Sequence, residues 1–253
     1  MSPRKVEWLL VALGVLALVG VWQWLVTAGF LDASIIPAPG TIVPMVFELL
    51  GRPAVLRSLW ITLTEIVAAF LLAAPIGFFI GFALGEMPRI GAVFRPVVNF
   101  LFGVPKSIFL PVFILIFGVG FEQKIAFGVF TTVFVLIIGG IAAVESVPRE
   151  LLTVARAYGA SRWQVIREIY LPAMAPILLE SARLGMIFNV TAVLLAEIYG
   201  ARDGIGYRLA GWGESLQMPQ LYAALVIISA FAIGINEALR LLEQRIGAWR
   251  RVR

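Results

Sequence analysis

Cysteine and histidine are both absent from the sequence. Without cysteine the chain can form no disulfide, hold no iron–sulfur cluster and offer no thiolate ligand or nucleophile. Without histidine it lacks the usual pH switch and the commonest metal ligand. A zinc enzyme and a histidine-based catalytic triad are therefore excluded, and only scattered carboxylates remain for acid–base chemistry. Charged residues make up just 14% of the chain. No GxxxxGK[ST] run occurs that could cradle nucleotide phosphates. There is no soluble domain, linker, low-complexity tract or sequence repeat, so residues 1–253 read as one domain.

What is present is apolar. Hydrophobic residues account for 61%, against about 45–50% in ordinary soluble domains. About 20 apolar residues cross the hydrocarbon core as a helix, and irregular backbone facing lipid is not tolerated. The sequence thus predicts an all-α polytopic membrane protein with six spans, near 8–28, 58–85, 91–118, 125–144, 177–200 and 220–239. The third is broken by Pro105 and Pro111. The first run, Trp8 to Val26, exceeds the 7–15 apolar residues of a signal peptide and reads as a retained span. Connections 29–57, 145–176 and 201–219 are long enough to carry structure of their own.

Lysine and arginine set the orientation. With the N-terminus in the cytoplasm, the cytoplasmic pieces hold thirteen basic residues: Arg4, Lys5, Arg89, Arg95, Arg149, Arg156, Arg162, Arg167, Arg240, Arg245, Arg250, Arg251 and Arg253. The external pieces hold five: Arg52, Arg57, Lys124, Arg202 and Arg208. This bias predicts cytoplasmic N- and C-termini. The basic residues flank spans and build no single broad patch, which argues against nucleic-acid binding.

The stretch 145–176, ESVPRELLTVARAYGASRWQVIREIYLPAMAP, reads as two short helices. Pro148 suits the first turn of one, and Gly159 suits a left-handed residue ending it. Ser161 and Gln164 form a capping box for the second, and Pro172 closes it. Trp163, Ile166, Ile169 and Tyr170 recur at helical spacing. Periodicity alone leaves two readings open, an interfacial helix pair on anionic lipid and a docking surface for a soluble partner.

This stretch resembles the loop pattern EAA, three residues, Gly, nine residues, Ile, one residue, Leu-Pro. That pattern marks permease subunits of binding-protein-dependent ATP-driven importers. Ala155, Gly159, Ile169, Leu171 and Pro172 match it in spacing, while Thr153 stands at its Glu and Val154 at its first Ala. Ile36-Pro37-Ala38-Pro39-Gly40, Leu110-Pro111 with Phe117-Gly118-Val119-Gly120, and Ala196-Glu197-Ile198 through Arg202-Asp203-Gly204-Ile205-Gly206-Tyr207 resemble segments of the nitrate, sulfonate and taurine branch. The resemblance covers nearly the whole chain. It implies a bacterial inner-membrane subunit that pairs with a second, identical permease. It further implies two ATPase subunits, which bring ATP and Mg²⁺ to their own sites, and an external solute-binding protein. The coupling contact would run through Thr153, Ala155, Ala157, Gly159, Ile169, Leu171 and Pro172. The solute would be a small anion such as nitrate, sulfonate, taurine or bicarbonate. An ion-driven secondary carrier is the alternative of another class, and the loop pattern argues against it.

Ionisable and amide groups inside the membrane default to functional hypotheses. Glu65, Asn99, Lys106, Asn189 and Glu197 are the candidates for a translocation path. Lys106 follows Pro105 at the break of the third span, where broken helices line transport sites. It would either attract an anion or neutralise Glu65 or Glu197. Glu65 and Glu180 fall near predicted span ends, within reach of interfacial water. The two asparagines would bond neighbouring helices. Gly77, Gly81 and Gly85 lie on one helical face that suits close packing, within the subunit or across a dimer.

Overall fold

The computed structural model describes the backbone of residues 3–247 and the side chains of residues 9–241. The basic residues Arg4, Lys5, Arg245, Arg250, Arg251 and Arg253 lie outside the described side chains. Long helices dominate: α1 (Pro3–Thr27), α3 (Pro53–Glu86), α6 (Phe121–Glu145), α9 (Leu171–Gly200) and α11 (Met218–Gly247). Shorter ones join them: α2 (Pro39–Leu50), α4 (Pro88–Gly103), α5 (Leu110–Phe117), α7 (Arg149–Ala157), α8 (Arg162–Val165) and α10 (Ile205–Glu214). Prolines stand in the first turn of α2, α3 and α4, where the missing N–H is one of the helix's unpaired donors anyway.

Five helices are long and apolar enough to cross a membrane, and α4 with α5 makes a sixth span bent by 83°. The bend falls at Val104-Pro105 and a 3₁₀ turn over Lys106–Phe109. The spans begin earlier than the apolar runs suggest, at Pro53 and Phe121 rather than at 58 and 125. Connections 29–57 and 201–219 hold α2 and α10.

The core is the pairing of α3 with α6. Gly77 meets Leu136, Gly81 meets Ile137 and Gly140, and Gly85 meets Val144. A Cβ at Gly81 would lie 2.5 Å from the Ile137 carbonyl oxygen and 2.8 Å from Gly140 Cα. The small-residue face therefore serves packing within the subunit. The constant offset also shows that α3 and α6 run parallel, so the bent span between them must return across the bundle. Helix α9 runs antiparallel to α6, because Ser181 abuts Gly139 while Gly200 lies near Gln123.

Helix α11 runs parallel to α3. Ala223 and Ile227 pack with Val55, and Phe231 and Ile235 pack with Ile66 and Ala69. Trp22, near the end of α1, sits against Tyr222 at the start of α11. The end of α1 and the start of α11 therefore meet at one end of the bundle, and α11 runs from there toward the side that carries Glu86, Glu145 and α7.

Candidate functional site

The sequence candidates fall in the turn after α6 and, deeper in the bundle, at Lys106 and in a buried carboxylate cluster. Helix α7 ends in a motif with two crossed bonds: Ala160 N–H donates to the Ala155 carbonyl and Gly159 N–H to the Arg156 carbonyl, both at 3.0 Å. That geometry needs a left-handed residue, and Gly159 supplies it at φ +74°. Ser161 and Gln164 form the reciprocal capping box, with bonds of 2.8 and 3.3 Å. The underside of the turn is apolar. Val147, Leu152, Val165, Ile166, Ile169, Tyr170 and Met174 pack against Ala143, Val144 and Phe82, and the Tyr170 hydroxyl donates to the Glu86 carboxylate.

The outer face of the turn has no partner among the described residues. Leu151, Val154, Tyr158 and Trp163 are exposed, as are Thr153, Ala157 and Gly159, while Ala155 is half-buried. Thr153 does not reach outward, since its hydroxyl donates to the Arg149 carbonyl at 3.0 Å.

Pro172 does not close a second short helix. Instead α8 runs on through a π-helical turn, Ile166–Tyr170, into α9, making one helical unit over Arg162–Gly200. Leu171 N–H reaches back to the Ile166 carbonyl. The widened turn accommodates a residue that has no N–H and would clash with the carbonyl four residues earlier. Ile169, Leu171 and Pro172 thus belong to the spanning rod rather than to a detached surface helix.

The second region lies within the bundle. Lys106 is half-buried at the 83° break. Its ammonium donates to the Phe102 carbonyl and sits 4.9 and 5.6 Å from the ring centres of Phe102 and Phe134. It opens onto a cavity of about 440 Å³ lined by Ser107, Phe127, Thr131, Phe188, Thr191 and Leu195, among others. Asn99 is exposed on α4; it makes no bond to a neighbouring helix among the described residues.

Glu65, Asn189 and Glu197 cluster elsewhere, all buried. Asn189 donates to the Ile66 carbonyl at 2.7 Å, bonding the neighbouring helix as expected. Glu65 does not reach interfacial water, and Lys106 does not neutralise it. The partner is Lys124, which the sequence reading placed in an external loop. Lys124 lies inside the first turn of α6 with its side chain 0% exposed. It pairs with Glu65 and, at 2.9 Å, with Asp203. The start of α6 at Phe121, four residues before the apolar run, draws Lys124 into the bundle. The signal in the sequence was charge balance, because two carboxylates in spans demand a nearby cation.

Glu197 organises the turn from α9 into α10. It accepts from the Thr62 hydroxyl at 2.6 Å and from Gly206 N–H at 2.8 Å. Ile205 N–H donates to Thr62 at 3.0 Å, and Arg208 donates to the Ser58 hydroxyl at 2.5 Å. Gly204 stands at φ +102°, and a Cβ there would fall 1.9 Å from Glu197 Oε1. The Glu…Gly-Ile-Gly spacing is therefore a carboxylate docked on a helix N-terminus, with two glycines moulded around it.

Residues 73–248 match the family described as "Binding-protein-dependent transport system inner membrane component". The taurine transport system permease protein TauC of Escherichia coli (strain K12) is 26% identical, covering 98% of this chain and 95% of that protein. The putative aliphatic sulfonates transport permease protein SsuC of Bacillus subtilis (strain 168) is 29% identical, covering 92% and 84%. Among solved structures, a bacterial alginate ABC transporter chain superposes with a TM-score of 0.67 at 18% identity, covering 96% of this chain and 97% of that one. The inward-facing MetNI methionine ABC transporter gives 0.64 at 22% identity, covering 80% and 98%. These two share the fold. The loop pattern, the six-span bundle and the family match agree: the chain belongs to the inner-membrane components of binding-protein-dependent transport systems, as a permease subunit of an ATP-driven importer.

Proposed function

We propose that this permease forms the import path for a small organic or inorganic anion, with Lys106 biasing the path toward negative charge. The observation that carries the reading is one ammonium at the break of a bent span, opening onto a cavity of about 440 Å³. A cation at mid-membrane depth is costly without a task or a partner, and among the described residues Lys106 meets a carbonyl and two aromatic faces. The printed substrates of two relatives, taurine and aliphatic sulfonates, are small and carry an acidic group. In this reading a second, identical copy completes the path, an external binding protein delivers the solute, and two ATPase subunits dock on the outer face of α7. ATP and Mg²⁺ are handled in those subunits. Segment 145–176 then faces the cytoplasm of a bacterial cell, with both termini.

The test is uptake by the whole complex against a panel of taurine, alkanesulfonates, nitrate and bicarbonate, with Lys106→Met beside the wild type. The expected result is at least a tenfold loss of anion uptake in a complex that still assembles. Unchanged uptake would refute the anion role. A complex that falls apart would show that Lys106 is needed for structure instead.

A further inference from the structure

Lys124 is among the largest fully buried side chains of the described residues, and its two acidic partners differ sharply in surroundings. Glu65, on α3, has a side chain 1% exposed. Asp203, in the turn between α9 and α10, has one 58% exposed, and it also offers Lys124 its backbone carbonyl at 3.4 Å. Separating Lys124 from Glu65 would strand two charges away from water. Separating it from Asp203 leaves the aspartate in solvent and the buried pair neutral, which is the cheaper break.

The place of this turn gives the break a use. Residues Arg162–Gly200 form one helical unit of 39 residues, about 58 Å at 1.5 Å per residue. One end is the capping box beside α7. The other runs directly into Asp203. Displacement of α7 and α8 is therefore carried along the rod to the seam between α10 and the α3–α6 pair. Lys124–Asp203 is the charged bond across that seam, beside hydroxyl bonds from Thr62 and Ser58.

We infer that Lys124 and Asp203 form an ion-pair latch that holds the α9–α10 turn closed on α3 and α6 at the end opposite α7, and that the latch opens when the rod is displaced from its coupling end. Lys124 is then a positioning residue for transport, acting through α10 rather than touching solute. The inference rests on the coupling role of segment 145–176.

Ile205 gives the probe. It is buried beside the latch, and the chain has no native cysteine. Ile205→Cys is introduced into the permease, purified with its ATPase in nanodiscs, and the labelling rate of the permease band by a membrane-impermeant maleimide is measured. Labelling is expected to be slow at rest, and at least fivefold faster after trapping with ATP and vanadate. Asp203→Asn should give the faster rate without nucleotide, and Asp203→Glu should restore the slow one. A merely structural ion pair would not respond to trapping. A rate unchanged within twofold, either in Asp203→Asn or on trapping, overturns the latch. Gly159→Val separates the two readings. It should abolish the response to trapping while leaving the resting effect of Asp203→Asn. If trapping still accelerates labelling in Gly159→Val, the coupling role attributed to Gly159 fails while the latch stands.

Discussion

Gly159 and Gly204 share a left-handed backbone, at φ +74° and +102°, yet they demand glycine for different reasons. Around Gly159 no atom lies within 4 Å of where a Cβ would go. A side chain there costs only the backbone strain, about 1–2 kcal/mol. At Gly204 the same strain is joined by a contact of 1.9 Å with Glu197 Oε1, inside a turn whose bonds leave the carboxylate no room to move. Gly159→Ala is thus expected to give folded complex at near wild-type yield, while Gly204→Ala loses most of it, as read by size-exclusion chromatography in detergent and by thermal unfolding. Equal yields would show that Glu197 can retreat and that the turn is not moulded around it. The open space at Gly159 sharpens a further expectation. Gly159→Val should leave the spans inserted while transport fails, because no neighbour lies within 4 Å of the added Cβ and, in the proposed docking of an ATPase on α7, the obstruction falls in the partner's groove. Wild-type transport by that variant would remove Gly159 from the coupling contact.

Among the elements, the α3–α6 pair sets the precision of the bundle. Close approach here depends on Gly77, Gly81 and Gly140, and the Cβ of even an alanine at Gly81 meets backbone atoms at 2.5 and 2.8 Å. Backbone cannot rotate away as a side chain can, so overpacking is expected to cost at least the usual 1–3 kcal/mol. Gly81→Leu should lower the midpoint of thermal unfolding and the folded yield, whereas the neighbouring exposed Phe79→Leu should change neither; equal effects would show that this contact yields. The spans themselves were legible, because apolar length is what a bilayer selects. The turn around Gly159 was legible too, because its glycine, serine and glutamine act locally. What escaped the sequence depends on contacts far apart in the chain. Lys124 looked like a loop residue because four polar-flanked positions precede the apolar run, and its partners lie 59 and 79 positions away. Pro172 looked like a stop because a proline ordinarily ends a helix, and the π turn that carries the rod past it leaves no composition signal. Asn99 and Asn189 looked alike, and only packing separates an exposed amide from one bonded across to α3.

For the whole molecule the question is whether the two ends lie on one side of the membrane, and the number of crossings bears on it. The parallel run of α3 and α6 forces α4 and α5 to cross between them, despite the 83° bend. Were the bent pair a re-entrant loop, α3 and α6 would have to run in opposite directions, and the constant spacing from Gly77–Leu136 to Gly85–Val144 excludes that. With α9 antiparallel to α6 and α11 parallel to α3, Gly247 falls on the side of α7, and Pro3 joins it if α1 crosses as its apolar length allows. Charge bears on which side that is. Counting Lys124 with the bundle rather than with the loops reduces the external basic residues predicted from the sequence from five to four, Arg52, Arg57, Arg202 and Arg208, against the thirteen that the same reading puts in the cytoplasm. The bias toward a cytoplasmic α7 side therefore strengthens. A reporter that is active only in the cytoplasm, fused after Arg253 or before Met1, is expected to be active in both cases, and an externally active reporter inserted at Gly51-Arg52 is expected to work in the same cells. Opposite signals from the two terminal fusions would mean an odd number of crossings. Since the parallel run of α3 and α6 fixes the crossing of the bent span, they would place α1 on the membrane rather than through it.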